Sequence, residues 1–181
     1  MFKQSIIVIL FFLISCSDQK DNTTQEQTTN DVAEVIKKVE PKKPSQPMAF
    51  VKTTDGSSLI IPEAMFDTDA AKEFLATGKN IYVGDAEAIK MGKKRYNLWS
   101  CTQCHGPTAK GQVGPGLTGP KYNYAKDQTN KGMFETIWAG TNGGMGGKGF
   151  GVMTADDGVT VDELLQIIAF VRSNGKITGN E

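Results

Sequence analysis

The chain has 181 residues, of which 39% are hydrophobic, a size and composition that predict one small domain with extensions. Its 20 basic and 20 acidic side chains give a formal net charge of zero. A neutral chain lacks the excess positive charge of proteins that bind nucleic acid, so we expect no nucleic-acid partner. Apart from Cys101 and Cys104, the chain has only Cys16 and His105 to offer to a zinc site, which needs four ligands that are usually cysteine or histidine.

Residues 1–15 have the pattern of a lipoprotein-type signal peptide. Lys3 supplies a positive charge, and residues 6–14 form an almost unbroken apolar run. This run is too short to span a membrane, which takes about 20 apolar residues. The run stops two residues before Cys16, which we expect to be lipidated and to hold a periplasmic protein at a membrane. An ordinary secretory leader with a chance cysteine is the alternative, and it predicts export as well.

Residues 16–47 have the composition of a flexible tether. They are rich in Asp, Gln, Thr, Asn, Lys and Glu, and they contain no aromatic residue. Such a segment cannot bury enough apolar surface to offset the entropy that is lost on ordering. We therefore expect the folded domain to cover residues 48–181.

The pattern of this domain is mostly α-helical. Two short apolar runs around Asp55-Gly56, at 50–52 and 59–61, predict a small hairpin. Four helices are predicted. The first follows residues 67–69 and ends near Gly78, the second covers about 85–99, and the third covers 132–138. The fourth begins at a capping box, 160–163, and ends at Gly175. Gly92 and Tyr96 share one face of the second helix, and they predict a close contact with the last helix.

The run Cys101-Thr102-Gln103-Cys104-His105 is the c-type haem attachment pattern. Each cysteine can add to one vinyl group of haem, and the following side chain is then delivered to one face of the iron. A bare pair of cysteines at this spacing also occurs in redox disulfides, but those need a βαβ context, and none surrounds this stretch. We predict one covalently bound haem c, held by Cys101 and Cys104, with His105 as an iron ligand.

A methionine is expected on the other face of the iron, because His105 is the only histidine and Met/His ligation is the cytochrome c arrangement. Met133 lies in a predicted helix, where a role in the core is the better interpretation. Met145 lies in a glycine-rich loop, and glycine lets the backbone approach a flat ligand. Met153 lies nearer the last helix and could equally be a core or edge residue. The residues alone leave Met145 and Met153 open.

From about Asp67 to Arg172 the chain resembles the cytochrome c-L family, electron acceptors of methanol dehydrogenases that use pyrroloquinoline quinone (PQQ). The similarity lies in these stretches: 74–86, 101–106, 111–117, 131–140 and 162–172. It implies a mostly α fold, with a single class I cytochrome c domain wrapped around one covalently bound haem and an N-terminal extension.

The resemblance also implies roles for single residues. Family members often carry Gly-Met-Met-Gly at the axial loop, and the corresponding Gly-Gly-Met-Gly here favours Met145 as the second iron ligand. The chain departs from the best-known members by a longer segment after this loop, which contains Met153. In class I cytochromes a proline carbonyl accepts the other ring N–H of the ligand histidine, and Pro115 is the candidate for that position.

The function implied by the resemblance is that of a one-electron carrier, not of an enzyme. Both axial positions of the iron stay filled, so no substrate needs to reach the metal. Electrons would come from a PQQ-dependent methanol or alcohol dehydrogenase and pass to a small cytochrome c or an oxidase. The alternatives are a class I cytochrome c serving another dehydrogenase, a haem enzyme or sensor with a displaceable sixth ligand, and a tethered lipoprotein whose motif is incidental.

Overall fold

The computed structural model describes residues 47–175, and the predictions for the leader, for Cys16 and for nearly all of the tether lie outside them. This part contains five α-helices: α1 (Asp69–Thr77), α2 (Ala86–Leu98), α3 (Cys101–His105), α4 (Asn130–Ala139) and α5 (Val161–Ser173). Two 3₁₀ turns accompany them, at Glu63–Met65 and Ala125–Gln128. The mostly α fold that the sequence predicts is confirmed. Within the described residues no helix is long and apolar enough to cross a membrane.

The predicted hairpin is present and closes one side of the core. Strand β1 (Phe50–Val51) pairs antiparallel with β2 (Ser58–Leu59), so that Phe50 lies opposite Leu59. The second strand ends one residue before Ile60, which is 87% exposed. The ring of Phe50 packs on those of Phe66, Phe74 and Phe134, at centroid distances of 5.9, 6.1 and 5.3 Å. This aromatic cluster joins the hairpin to the helices.

Side-chain caps begin four of the helices, and the capping box that the sequence predicts for α5 is present. The capping oxygens belong to Thr68, Asp85, Thr129 and Thr160. Each accepts from a backbone N–H of the first turn, a contact that contributes about 1 kcal/mol. Helix α4 starts two residues earlier than expected, because the cap is Thr129, whose hydroxyl accepts from Gly132 N at 3.0 Å. Helix α5 ends at Ser173, close to the predicted stop.

The predicted close contact between α2 and α5 is confirmed at Gly92. A Cβ atom at this position would lie 1.9 Å from the carbonyl oxygen of Gln166. One turn further along α2, the ring of Tyr96 packs on Phe170 with centroids 5.2 Å apart. The Tyr96 hydroxyl donates to Gly106 O at 3.0 Å. The paired helices are thereby connected to the end of α3, which carries the cysteine motif.

The apolar face of α5 supplies the centre of the core. Leu164, Leu165 and Ile168 are fully buried, and Val171 is 1% exposed. Burying a side chain of this size contributes roughly 1.5–3 kcal/mol. Helix α4 lies against the same core with four buried apolar residues: Met133, Phe134, Ile137 and Trp138. The core therefore forms a solid wall behind α3 and the loops that follow it.

Candidate functional site

The two cysteines of the predicted attachment motif lie on the short helix α3. Three positions apart, they point to the same side of the helix, with Cys101 partly buried and Cys104 exposed. Their sulfur atoms are not joined to each other. Burial raises the pKa of the Cys101 thiol to about 11. Reactive redox cysteines have a lowered pKa, so this environment disfavours the redox alternative.

His105 is held with one ring nitrogen bonded and the other available. The ring is 7% exposed, and its Nδ1 lies 2.8 Å from the carbonyl oxygen of Pro115. Since a carbonyl oxygen only accepts, Nδ1 carries the proton and donates it, which leaves the lone pair on Nε2 for a metal. The predicted contact with Pro115 is therefore present, and it fixes the orientation of the imidazole.

The loop that follows α3 holds Pro115 in place. Gly114 N donates to Cys104 O at 2.8 Å, and Gly111 N donates to His105 O at 2.9 Å. A Cβ atom on Gly114 would lie 3.3 Å from Cε1 of His105. The absence of a side chain at this position lets the loop lie directly against the imidazole.

Met145 lies in a tight loop that directly follows the end of α4. The N–H of Thr141 donates to Met145 O at 2.8 Å, which closes the loop. Gly140 has a φ of 82°, a backbone conformation that residues other than glycine rarely adopt. A Cβ atom there would lie 2.5 Å from Gly147 N and 2.6 Å from Met145 O. The position of Met145 thus depends on glycine at the exit of the helix.

Three cavities, of about 330, 100 and 40 Å³, meet at this site, and His105 and Met145 line all three. The outer one is also lined by Cys101 and Cys104, the thiols of the motif. The innermost one is mostly apolar, with side chains such as Ile137, Ile167 and Val171. The space between the histidine and the methionine is therefore walled by apolar groups on one side and by the cysteine pair on another.

The other methionine candidates lie in different surroundings. Met153 lines none of these three cavities and is 56% exposed. Met133 is 3% exposed and belongs to the core, as the sequence predicts, but its side chain also lines the innermost cavity. The sequence does not predict this contact with the cavity, because a helical core residue faces a cofactor only through tertiary packing.

These residues fit a haem attached through two thioethers. Apolar walls, a histidine with its Nε2 available and a thioether line one space, and two thiols lie at its edge. Among the described residues, Trp99 Nε1 is the one buried side-chain nitrogen or oxygen that lacks a hydrogen-bond partner. It lies two residues before Cys101. A buried donor without a protein acceptor is a group for which a bound cofactor with acceptor oxygens would account.

A cluster of buried ionic side chains lies beside the site, and sequence reasoning missed it. Glu135 is 1% exposed, and it pairs with Lys126 at 2.8 Å and with Lys131. Its Oε1 also accepts from Val51 N at 2.9 Å. Burial alone raises the pKa of Glu135, but the hydrogen bonds outweigh it and hold the pKa below its ordinary value. The spacing of Lys131 and Glu135, four apart on one helix, was a detectable signal.

Arg172 and Asp127 are the other buried charges near the site. Arg172 is 2% exposed and donates to Asp127 O at 3.0 Å and to the Tyr122 hydroxyl at 3.1 Å. Asp127 is 8% exposed, and its carboxylate accepts from the Thr136 hydroxyl at 2.7 Å. Burial raises the pKa of Asp127 above its ordinary value. These contacts join residues that are 9 to 50 positions apart in the sequence, so no local sequence pattern predicts them.

Comparison with known proteins places the site in a family. The sequence profile of the cytochrome c family matches residues 89–175. The cytochrome c-L of Methylorubrum extorquens is 36% identical over 132 residues, which are 71% of this chain. The match spans 63% of the length of that relative.

Solved structures agree with this assignment. Cytochrome cL from the marine methylotrophic bacterium Methylophaga aminisulfidivorans is 39% identical, with a TM-score of 0.60, over 70% of this chain and 79% of the other. Cytochrome cL from Hyphomicrobium denitrificans is 38% identical, with a TM-score of 0.61, over 70% and 73%. The chain therefore belongs to the cytochrome c-L family, whose members are electron-transfer proteins with covalently bound haem c.

Proposed function

We propose that this protein is a mono-haem electron carrier that accepts electrons from a PQQ-dependent methanol or alcohol dehydrogenase. It would pass them to a small cytochrome c or an oxidase. In this proposal Cys101 and Cys104 hold the haem, and His105 and Met145 bind the iron. The supporting observation is that His105, oriented by Pro115, and Met145 line the same three cavities beside the two thiols.

The side chains around the site have separate tasks in electron transfer. Haem c supplies a one-electron couple at its iron. The Pro115 carbonyl holds His105 as the Nδ1–H tautomer and so keeps Nε2 in its ligating form. The apolar walls from α4 and α5 exclude water, which favours the less charged, reduced state. A methionine ligand raises the reduction potential further.

Electrons would enter and leave at the outer cavity. Its rim includes Cys104 and the glycines of the Met145 loop, which are exposed, and Val113, which is 85% exposed. Lys148 and Ser100 also line this cavity, so that a mostly uncharged rim with one lysine lies next to the covalent attachment, where a partner protein can approach the edge of the haem. The choice of a PQQ-dependent dehydrogenase as donor is supported by the similarity to cytochrome c-L proteins, one of them from a methylotrophic bacterium.

The donor can be tested by mixing the oxidised protein with a PQQ-dependent methanol dehydrogenase and methanol. We expect the haem absorption bands of the reduced protein to appear only when both are present. A PQQ-dependent dehydrogenase for another substrate and a mitochondrial-type cytochrome c serve as the matched donor and acceptor controls. Reduction by other dehydrogenases alone would make the chain a class I cytochrome c with a different partner. Absence of haem from protein made in a host that matures cytochromes would contradict the electron-carrier function itself.

The periplasmic, membrane-anchored location remains a proposal that rests on residues 1–47. We expect wild-type protein to fractionate with membranes and to incorporate labelled fatty acid at Cys16. The variant Cys16→Ser should lose the label and be released into the soluble periplasmic fraction. Stable anchoring needs more than one acyl chain, and this variant has no site for them. Secretion of an unlabelled wild-type protein would show an ordinary leader instead.

A further inference from the structure

The cavity of the site contains a carboxyl group that the proposed haem ligation does not use. Asp127 lies on the 3₁₀ turn Ala125–Gln128, and it lines both the 100 Å³ cavity and the innermost one, each together with His105 and Met145. Asp127 is 8% exposed. A carboxylate this poorly hydrated exerts its charge on the cavity with little screening by water.

The contacts of Asp127 differ from those of the neighbouring Glu135. Both lysines near Glu135 bond to its carboxylate, so that this group is well compensated as an anion. The carboxylate of Asp127 instead accepts from the neutral hydroxyl of Thr136. Arg172 donates to the backbone oxygen of Asp127, and its other contacts are Tyr122 and Asn130. Of these two carboxylates, Asp127 is therefore the one whose negative charge has no ion-pair partner among the described residues.

The charged and titratable groups around Asp127 come from every neighbouring element. Burial is the largest influence and raises its pKa, while the Thr136 hydrogen bond, Lys126 and Arg172 lower it, and Glu135 raises it. Tyr122 lies on the adjoining loop, and its own pKa is raised by burial. His105 lines the same cavities from α3. The resulting pKa of Asp127 lies above the ordinary value.

A chain of hydroxyl groups leads from Asp127 toward the surface. Thr136 donates to Asp127, so the contact of 2.9 Å between the Thr136 and Thr53 hydroxyls leaves Thr53 as its donor. Thr53 is only partly buried and follows strand β1. Hydroxyl groups can reverse their donor and acceptor roles. The hydroxyl groups of Thr136 and Thr53 therefore offer the buried carboxyl group of Asp127 a route for exchanging a proton with solvent.

We propose that Asp127 sets the reduction potential of this protein and takes up a proton as the protein gains an electron. The proposal rests on the haem-ligand set given above. The electron comes from the donor protein, the proton from bulk water, and the carboxylate becomes a carboxylic acid, so that charge in the cavity is conserved. When ionised, Asp127 favours the oxidised state, because its negative charge stabilises the more positive form of the site.

The test is the reduction potential of the purified holoprotein, measured by spectroelectrochemistry across the pH range. In the wild type we expect the potential to fall as pH rises through the pKa of Asp127. The variant Asp127→Asn should lose this dependence. Above that pKa its potential should be higher, by an amount that changes the ratio of oxidised to reduced protein about tenfold at fixed applied potential.

Two further variants separate the tuning role from a structural one. Thr136→Val removes the hydrogen bond to the ionised form, so we expect the pH-dependent region to move to higher pH. Asp156→Asn removes the same charge from an exposed site, and we expect it to leave the potential unchanged. An unchanged potential and slope in Asp127→Asn would overturn the inference and would assign any remaining slope to the haem propionates. If the wild type lacks bound haem or its methionine-ligand band, the proposed function fails instead.

Discussion

Replacing Met145 with alanine should abolish the weak long-wavelength absorption band that methionine sulfur gives to oxidised haem c, whereas Met153→Ala should leave that band intact. Met145 lines all three cavities that also include His105, and Met153 lines none of them. Loss of the thioether should also lower the reduction potential, because Met/His ligation raises it. Absorption spectra of the oxidised proteins and a redox titration provide the measurements.

Met133 needs its own control, because its thioether lines the innermost cavity. Met133→Leu keeps the volume and apolar character of the side chain, and such exchanges usually cost less than about 1.5 kcal/mol. We expect this variant to retain the band. Loss of the band in Met133→Leu or in Met153→Ala, with retention in Met145→Ala, would reverse the assignment of the ligand. Binding of carbon monoxide to the reduced wild-type protein would instead favour a sensor or enzyme with an easily displaced ligand.

The helices could be predicted from the sequence because their signals are local. Asp85 and the capping box at Thr160 mark helix starts through contacts within a single turn. Gly92 predicts the contact of α2 with α5, because a glycine on a helix face beside an aromatic residue indicates close approach of another helix. The cysteine motif predicts the haem for a similar reason, since its chemistry is contained in five consecutive residues.

The acidic and basic groups around the site could not be predicted in the same way. The bond from Val51 N to Glu135 joins residues 84 positions apart, and Arg172 reaches Asp127 across 45 positions. A charged side chain in a sequence is normally expected to be exposed, and burial becomes visible only when distant segments are brought together. The sequence therefore predicts the ligands of the proposed haem but not the charges that would tune it.

The contact of α2 with α5 provides the second large effect, the destabilisation expected from Gly92→Ala. On an exposed helix this change would stabilise the protein by about 1 kcal/mol, because alanine is the better helix former. At Gly92 the added Cβ would lie 1.9 Å from Gln166 O and 2.6 Å from the carbonyl carbon. Both are backbone atoms of α5, so the helices would have to separate.

We expect Gly92→Ala to lower the free energy of unfolding by about 3 kcal/mol, the upper part of the usual range for overpacking. For a domain of this size the thermal midpoint should fall by roughly 10 °C. Thermal unfolding of the holoprotein, followed by circular dichroism, measures this shift. Lys93→Ala changes an exposed residue on the same helix and should move the midpoint little. A midpoint that rises in Gly92→Ala would mean that helix propensity prevails and that the two helices are not in such close contact.

Separation of the helices should also loosen the site, because Tyr96 connects α2 to Gly106 behind the cysteine motif. A weaker methionine-ligand band in Gly92→Ala would reveal this effect.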